Sequence, residues 1–326
     1  MKAIVYTEYG SPDVLQLKEV AKPTPKANEV LIKVYAVSVN AADLHILRAD
    51  PFLVRLNYGL LKPKNEILGS DIAGRVEAVG SDVTQFKPGD EVFGDISGCG
   101  RGGFAEYVCA LENVLVLKPA NISFEEAAAV PMAAVTALQG LRNNRQIQPG
   151  QKVLINGASG GVGTFAVQIA KSFGAEVTAV CSTRNLDMMR SIGADRVIDY
   201  TQEDFTQNGH RYDFILAANG YHSISDYKRV LTPKGTYVMT GGSMAQIFQA
   251  MLLGPWMSMT GSQKMGNGGA GPNQKDLAFM KELLEAGKVK PVIDRRYPLS
   301  ETAAAIRYLE EGHAQGKVVI TVAHDN

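Results

Sequence analysis

The sequence predicts an α/β protein of about two domains, one β-rich and barrel-like, the other a doubly wound parallel sheet with helices on both faces. Three observations predict this. Short strand-like runs, broken by turns such as Lys87-Pro88-Gly89-Asp90, fill the first third of the chain. From about residue 121 the pattern changes to alternating strands and helices. Within that second part a run of small residues, Asn156-Gly157-Ala158-Ser159-Gly160-Gly161-Val162-Gly163, joins a strand to a helix.

The bulk numbers agree with a globular chain. Its 326 residues carry 33 Lys+Arg against 33 Asp+Glu. A balanced charge gives no general attraction to nucleic acid or to an anionic membrane. Three cysteines, Cys99, Cys109 and Cys181, stand far apart and show neither disulfide nor metal-ligand spacing, which suits a reducing, cytoplasmic setting. The chain opens directly on a strand-like run, with no signal peptide evident. The apolar stretch 247–259 is too short to span a bilayer and contains Gly254 and Pro255.

The elements follow in order. Strands are expected over 3–6, 29–39, 72–79, 91–93, 104–109 and 114–118, a many-turned β unit of the kind that closes into a barrel. An Ala-rich helix is expected over 123–140, with Glu125 and Glu126 matched to its dipole. Strands over 152–156, 176–181, 196–198, 213–217 and 236–240, with a helix over 162–173, make the parallel sheet. Helices over 275–286 and 300–310 and a strand over 317–322 complete the chain.

The glycine run carries chemistry. Small residues let the backbone approach a pyrophosphate, and the helix after them offers unpaired N–H groups and a positive dipole end. A tight structural turn is the plainer reading, but the strand–loop–helix context favours a dinucleotide. An acid at the tip of the second strand would grip the ribose of NAD. Here that tip reads Cys181-Ser182-Thr183-Arg184, where Ser182 and Thr183 offer hydrogen bonds and Arg184 offers charge to a 2′-phosphate. NADPH is therefore expected. Two alternatives stand beside it: Arg184 as a solvated first-turn residue, and Asp187, just downstream, as an NAD-binding acid.

Further runs occur in a fixed order: Val37-Ser38-Val39-Asn40-Ala41-Ala42-Asp43, Leu68-Gly69-Ser70-Asp71-Ile72-Ala73-Gly74, Lys87-Pro88-Gly89-Asp90-Glu91-Val92, Pro131-Met132-Ala133-Ala134-Val135-Thr136-Ala137, the glycine run, and Gly193-Ala194-Asp195 followed by Ile198-Asp199-Tyr200. Over essentially its whole length the chain resembles the quinone oxidoreductase (zeta-crystallin-like) branch of the medium-chain dehydrogenase/reductases. The resemblance implies a GroES-like β-barrel catalytic domain from residues 1–122 and 270–326, with a Rossmann NADPH-binding domain over 123–269 and a cleft between them. By matching position, it places Thr136 near the nicotinamide side of the cofactor and Ser159, Gly160, Gly161 and Val162 at the pyrophosphate. Ser182, Arg184 and Tyr200 match the adenosine 2′-phosphate site. Ala217, Ala218, Gly241 and Gly242 match strand ends beside the cofactor, and Lys317 a late position reaching it. Asn40 and Asp43 match the segment nearest the nicotinamide. It also implies a homodimer, with edge strands near 236–240 and 257–261 pairing across a two-fold axis.

The alcohol dehydrogenases of that superfamily place a Cys near the Asn40 region and a His in a Gly-His-Glu motif, where this chain reads Gly69-Ser70-Asp71. Their four-cysteine structural zinc lobe needs more cysteines than the chain has. Zinc takes three or four convergent ligands, so no metal is expected. Without a Lewis acid, quinones and α,β-unsaturated carbonyls are easier hydride acceptors than simple carbonyls. The catalytic candidates are Asn40, Asp43 and Tyr58, with Asn40 positioning and Tyr58 or His45 donating a proton. Each has a plainer reading: Asn40 and Asp43 as a helix N-cap pair, Tyr58 as loop packing, His45 as a surface residue. Cys99 is read as structural. The Met-rich stretch 246–259 is read as core or subunit contact ahead of pocket lining, and 267–271 as a mobile glycine loop. An NADPH-dependent reductase of quinones or enones, acting on a small apolar substrate, is the leading function. Reduction of ordinary aldehydes or ketones, or a non-catalytic NADPH-binding module, are the alternatives.

Overall fold

The computed structural model describes residues 1–142, 146–219, 222–242, 252–255, 258–259, 261–268 and 271–324. The chain forms two compact units, Met1–Met132 with Pro272–Glu285 and Pro291–Asn326, and Ala133–Gly271 with Ala286–Lys290. Residues 123–132, expected with the second part, thus belong to the first. Most of the stretch 246–259, including Trp256, lies outside the described residues, as do Met257 and Thr260 of the expected dimer edge.

The first unit is organised by the strand Glu29–Val39. Its run of β-branched and apolar residues buries Val30, Ile32, Val34 and Val37 completely. It pairs antiparallel with Asp71–Val79, Tyr107–Leu111 and Lys317–Thr321. The sheet extends through Glu91–Asp95 to Leu115–Leu117 on one side and to Ile293–Pro298 on the other. The strand Lys2–Val5 makes a separate ribbon with Gln16–Glu19. In the main sheet Val318 lies opposite Val39, Ser38 opposite Asp71, and Asp71 opposite Asp95. Polar residues from three strands, Ser38, Asp71 and Asp95, therefore meet at one level of the sheet, and Lys317 of the fourth strand lies two positions along from it.

The expected helix over 123–140 is two helices, Phe124–Ala128 and Pro131–Arg142. Pro131 is the reason: a proline disfavours helical geometry in the residue before it yet starts a new helix well. Ser123 and Glu126 cap the first helix reciprocally, at 3.1 and 2.9 Å.

The second unit contains, among its described residues, a parallel sheet ordered Arg196–Asp199, Glu176–Cys181, Lys152–Asn156, Tyr212–Ala217, Leu231–Met239, Lys264–Asn267. Numbered along the chain this is 3-2-1-4-5-6, the order of a dinucleotide-binding fold. Val153, Leu154 and Ile155 of its central strand are wholly buried, and the helix Gly161–Ser172 packs against it, its own Phe165, Val167 and Ile169 wholly buried. The strand expected over 236–240 is not an edge. It is the end of Leu231–Met239, flanked on both sides, because Lys264–Asn267 adds one further strand. The ends of the expected mobile loop are anchored: Gly268 N–H donates to Met239 O at 2.9 Å, and Gly271 exchanges two hydrogen bonds with the Gln139 amide, each 3.2 Å.

One buried contact locks the sheet to a helix. The Asn156 amide donates to the Tyr227 hydroxyl at 2.7 Å, and Tyr227 is fully buried. Tyr227→Phe leaves that amide without an acceptor, and urea unfolding is expected to show a loss of about 1–2 kcal/mol.

Candidate functional site

In the first unit the strand ends gather a buried polar cluster. Asn40 follows the strand Glu29–Val39 and starts the helix Ala41–Arg48. Its backbone N–H donates to the Asp43 carboxylate at 2.9 Å, the acid-to-cap half of a capping box. The Asn40 side chain bridges two other groups. Its Nδ2 donates to Asp71 Oδ2 at 3.0 Å, and its Oδ1 accepts from Lys317 Nζ at 2.5 Å. Asp71 also accepts from Ser38 Oγ at 3.2 Å and from the Met132 N–H at 3.0 and 3.1 Å, while Lys317 Nζ stands 3.9 Å away. Every hydrogen bond to Asp71 is a donor's, which is the pattern of an ionised carboxylate.

Burial raises the Asp71 carboxyl to about 7, against the pull of Lys317 and with a smaller push from Asp95. It also raises Asp43 and Asp95, and it depresses Lys317. The cluster is thus held by mutual compensation of charges that would each be costly alone.

Asp43 is wholly buried. Beyond the Asn40 N–H it accepts from the Gly69 N–H at 3.2 Å and lies 3.7 Å from Arg101. Arg101, absent from the sequence-derived candidates, comes from the run Gly98-Cys99-Gly100-Arg101-Gly102-Gly103 and has a left-handed backbone, φ 67°. Its guanidinium donates to Ser70 Oγ and, at 3.2 Å, to the hydroxyl of half-buried Tyr58. The structure therefore joins Asn40, Asp43, Tyr58 and Lys317 into one network, through Asp71, Ser70 and Arg101. Lys317, expected among the cofactor residues, is committed to Asn40. His45 is exposed, against the Asp50 carbonyl, and burial raises the Cys99 thiol.

The second unit gathers the other candidates along the carboxyl edge of its parallel sheet. Gly160 is the N-cap of the helix Gly161–Ser172, whose first N–H groups have no partner inside the helix. Gly157 has φ 76°, and a Cβ there would stand 2.3 Å from Asn219 O. A Cβ on Gly163 would meet Gly157 O at 2.3 Å, and one on Gly241 would meet Ala218 O at 2.4 Å. A Cβ on Gly160 would meet only Gly157 O, at 3.7 Å. Gly157 and Gly163 are thus demanded by the fold, whereas Gly160 is not, since a side chain there would meet little of the protein. Ser159, Gly161 and Val162 complete the half-exposed rim.

Ser182 and exposed Arg184 follow the second strand, and Tyr200, 61% exposed, follows the third with its N–H on Cys181 O. Ala217 ends the next strand, and Thr136 is half-buried in the helix Pro131–Arg142. Thr183 differs from expectation. Its hydroxyl donates to Asp199 Oδ2 at 2.5 Å, so an acid does stand beside the second strand's tip, supplied by the third strand. Asp187 turns to Arg190 at 2.8 Å.

The donor set does not fit zinc. Ser70 is occupied by Arg101 and Asp71 by Asn40, Ser38 and Met132, and among the described residues no three His, Cys, Asp or Glu side chains are placed to hold a metal ion. Nor, among those residues, is any helix long and apolar enough to cross a membrane.

Comparisons with known proteins agree with this architecture. Residues 26–120 match the family described as alcohol dehydrogenase GroES-like domain, and residues 192–320 the family described as zinc-binding dehydrogenase. The chain is 37% identical to a chloroplast envelope quinone oxidoreductase homolog of Arabidopsis thaliana, over 98% of each. It is 35% identical to a chloroplastic NADPH-dependent alkenal/one oxidoreductase of the same plant, over 98% of this chain and 79% of that one. The solved structure of the quinone oxidoreductase from Coxiella burnetii superposes with a TM-score of 0.87 at 31% identity, covering 99% of both chains. With that likeness end to end, the chain belongs to the medium-chain dehydrogenase/reductase family, in its quinone oxidoreductase branch.

Proposed function

We propose that this chain is an NADPH-dependent reductase of quinones or α,β-unsaturated carbonyls that works without a metal. The observation carrying the proposal is the glycine cradle at Gly160 opening a helix on the carboxyl edge of a 3-2-1-4-5-6 sheet. Relatives named for quinone and NADPH-dependent alkenal/one reduction support the substrate class. Reduced nicotinamide, when bound, supplies the hydride. Ser159, Gly160, Gly161 and Val162 hold the pyrophosphate, and Ser182, Arg184 and Tyr200 the adenosine 2′-phosphate. Thr136, Ala217 and Gly241 border the rest of the cofactor. Asn40, held by Asp43, Asp71 and Lys317, positions the reacting groups, with Lys317 reaching the cofactor through it, and Tyr58 donates the proton.

Preference for NADPH rests on Arg184 outweighing the Asp199 carboxylate, which the Thr183 hydroxyl already occupies. Arg184→Ala is expected to raise the KM for NADPH about tenfold or more and to leave the KM for NADH within about twofold. Equal losses with both cofactors would remove the assignment.

We further propose a homodimer, built on the strand Lys264–Asn267, the edge among the described residues, and a reducing compartment such as the cytoplasm, which three free thiols suit. Light scattering at working concentration tests the first.

The deciding experiment is titration with NADPH and NADH, then loss of reduced cofactor with a quinone and an unsaturated aldehyde, with and without chelator. Chelator-insensitive turnover with NADPH is the expected result. Tight binding with no turnover would favour a non-catalytic nucleotide-binding module instead.

A further inference from the structure

We infer that Arg101 is the positioning residue that turns Tyr58 into a one-way proton donor, an inference resting on the reductase reading above. Arginine has five N–H donors and no acceptor. In the 3.2 Å contact between Arg101 Nη2 and the Tyr58 hydroxyl, the phenol oxygen must therefore accept. That leaves the phenolic proton to point elsewhere, and among the described residues the Tyr58 hydroxyl makes no other hydrogen bond. The guanidinium is itself immobilised. Its side chain is 6% exposed, Nη1 donates to Ser70 Oγ, the Asp43 carboxylate lies 3.7 Å away, and its backbone N–H donates to Ile96 O at 3.3 Å. The left-handed backbone at Arg101, between Gly100 and Gly102, is what allows a loop residue to send its side chain into the buried cluster. A buried arginine held by a serine and an aspartate, with one arm left for a half-buried tyrosine, is a costly arrangement for packing alone.

A hydride from the reduced nicotinamide cofactor, which is thereby oxidised, forms a C–H bond at the β-carbon of the enone. The π electrons move to the carbonyl oxygen as an enolate. The Tyr58 O–H bond breaks and its proton bonds to the α-carbon. The phenolate so formed lies one hydrogen bond from the Arg101 guanidinium, a charge-assisted contact stronger than the neutral one it replaces, and a proton from water restores the phenol. For a quinone the same proton goes to the reduced oxygen.

The test uses the full-length protein and the variants Tyr58→Phe, Arg101→Met and Arg101→Lys with an unsaturated aldehyde. Tyr58→Phe is expected to lower kcat about a hundredfold and to abolish the solvent deuterium isotope effect on kcat, with KM changed less than about threefold. Arg101→Met is expected to cost about tenfold or more in kcat, and Arg101→Lys to recover part of it, since lysine keeps the charge but not the fork. In the Tyr58→Phe background, Arg101→Met costs much less than it does in the wild type. A second readout needs no cofactor and no turnover: the ring Cζ resonance of Tyr58 in 13C-tyrosine protein, identified by its loss in Tyr58→Phe, shifts in Arg101→Lys. Additive kcat losses in the double variant, or an unmoved resonance, overturn the inference. If Arg101→Met does not fold, the Arg101→Lys resonance and kinetics decide alone. Absence of enone or quinone turnover by the wild type removes the reductase reading and this inference together. Wild-type turnover with unchanged Tyr58→Phe kinetics overturns the inference only.

Discussion

Asp71→Ala is expected to destabilise the protein by about 3–5 kcal/mol, the cost of removing one partner of a buried ion pair. The carboxylate is wholly buried and gathers the Ser38 hydroxyl, the Asn40 amide and the Met132 N–H, with the Lys317 ammonium 3.9 Å away. Removing it leaves those donors unsatisfied and Lys317, itself 4% exposed, with its nearest anion gone. Paired replacement separates charge from packing. Asp71→Leu combined with Lys317→Met is expected to regain only the part due to the unpaired Lys317 charge, because the Ser38, Asn40 and Met132 donors stay without an acceptor. Urea unfolding followed by circular dichroism measures both. A single-variant loss below about 1 kcal/mol would show that the cluster relaxes around the missing group.

The second large effect separates two glycines three residues apart. Gly163→Ala is expected to destabilise the cofactor-free protein by about 3 kcal/mol or more and to weaken NADPH binding with it. Its Cβ would lie 2.3 Å from Gly157 O and 2.5 Å from Ala158 O, and both are backbone atoms, which move only with the chain around them. Gly160→Ala has a different signature. Gly160 has φ −80° and ψ 178°, which any residue adopts, and its Cβ would meet only Gly157 O at 3.7 Å. Stability should change by less than about 1 kcal/mol, while NADPH binding falls about tenfold or more, since the methyl group occupies the space proposed for the pyrophosphate. Thermal melting with and without cofactor reads both quantities. Unchanged NADPH affinity in Gly160→Ala would move the pyrophosphate off this helix.

The nucleotide half was legible because its signals are local. A glycine run between a strand and a helix needs about ten consecutive residues to be recognised, and Gly157 and Gly163 occupy the places that steric demand gives them. The strand-end position of Ser182 and Arg184 was legible in the same local way, while Tyr200 entered only through the family resemblance. The Thr183–Asp199 hydrogen bond was not legible, since it joins the turn after one strand to the end of its neighbour, and strand adjacency is a property of the sheet.

Asn40 and Asp43 were found as a pair three residues apart, and the cap reading and the site reading proved compatible: Asp43 holds the Asn40 backbone while the Asn40 side chain works elsewhere. In sequence, Gly69-Ser70-Asp71 registered as part of a family landmark and as a missing zinc ligand. Its positive content, an Arg101-bound serine beside an Asn40-bound aspartate, depends on residues 31 apart in each case. Arg101 itself had one local clue, a lone arginine among glycines, where φ above zero is easily reached.

By itself the sequence determined the two-part α/β architecture, the glycine cradle and the family to which the chain belongs. Tertiary structure alone decided the buried charge cluster and Lys317's commitment to Asn40. It also decided that Leu231–Met239 is an interior strand. The physical reason is register. Val318 opposite Val39 and Asp71 opposite Ser38 and Asp95 set which polar residues share a level of the sheet. Pairing between strands separated by tens to hundreds of residues leaves no spacing for a sequence to display.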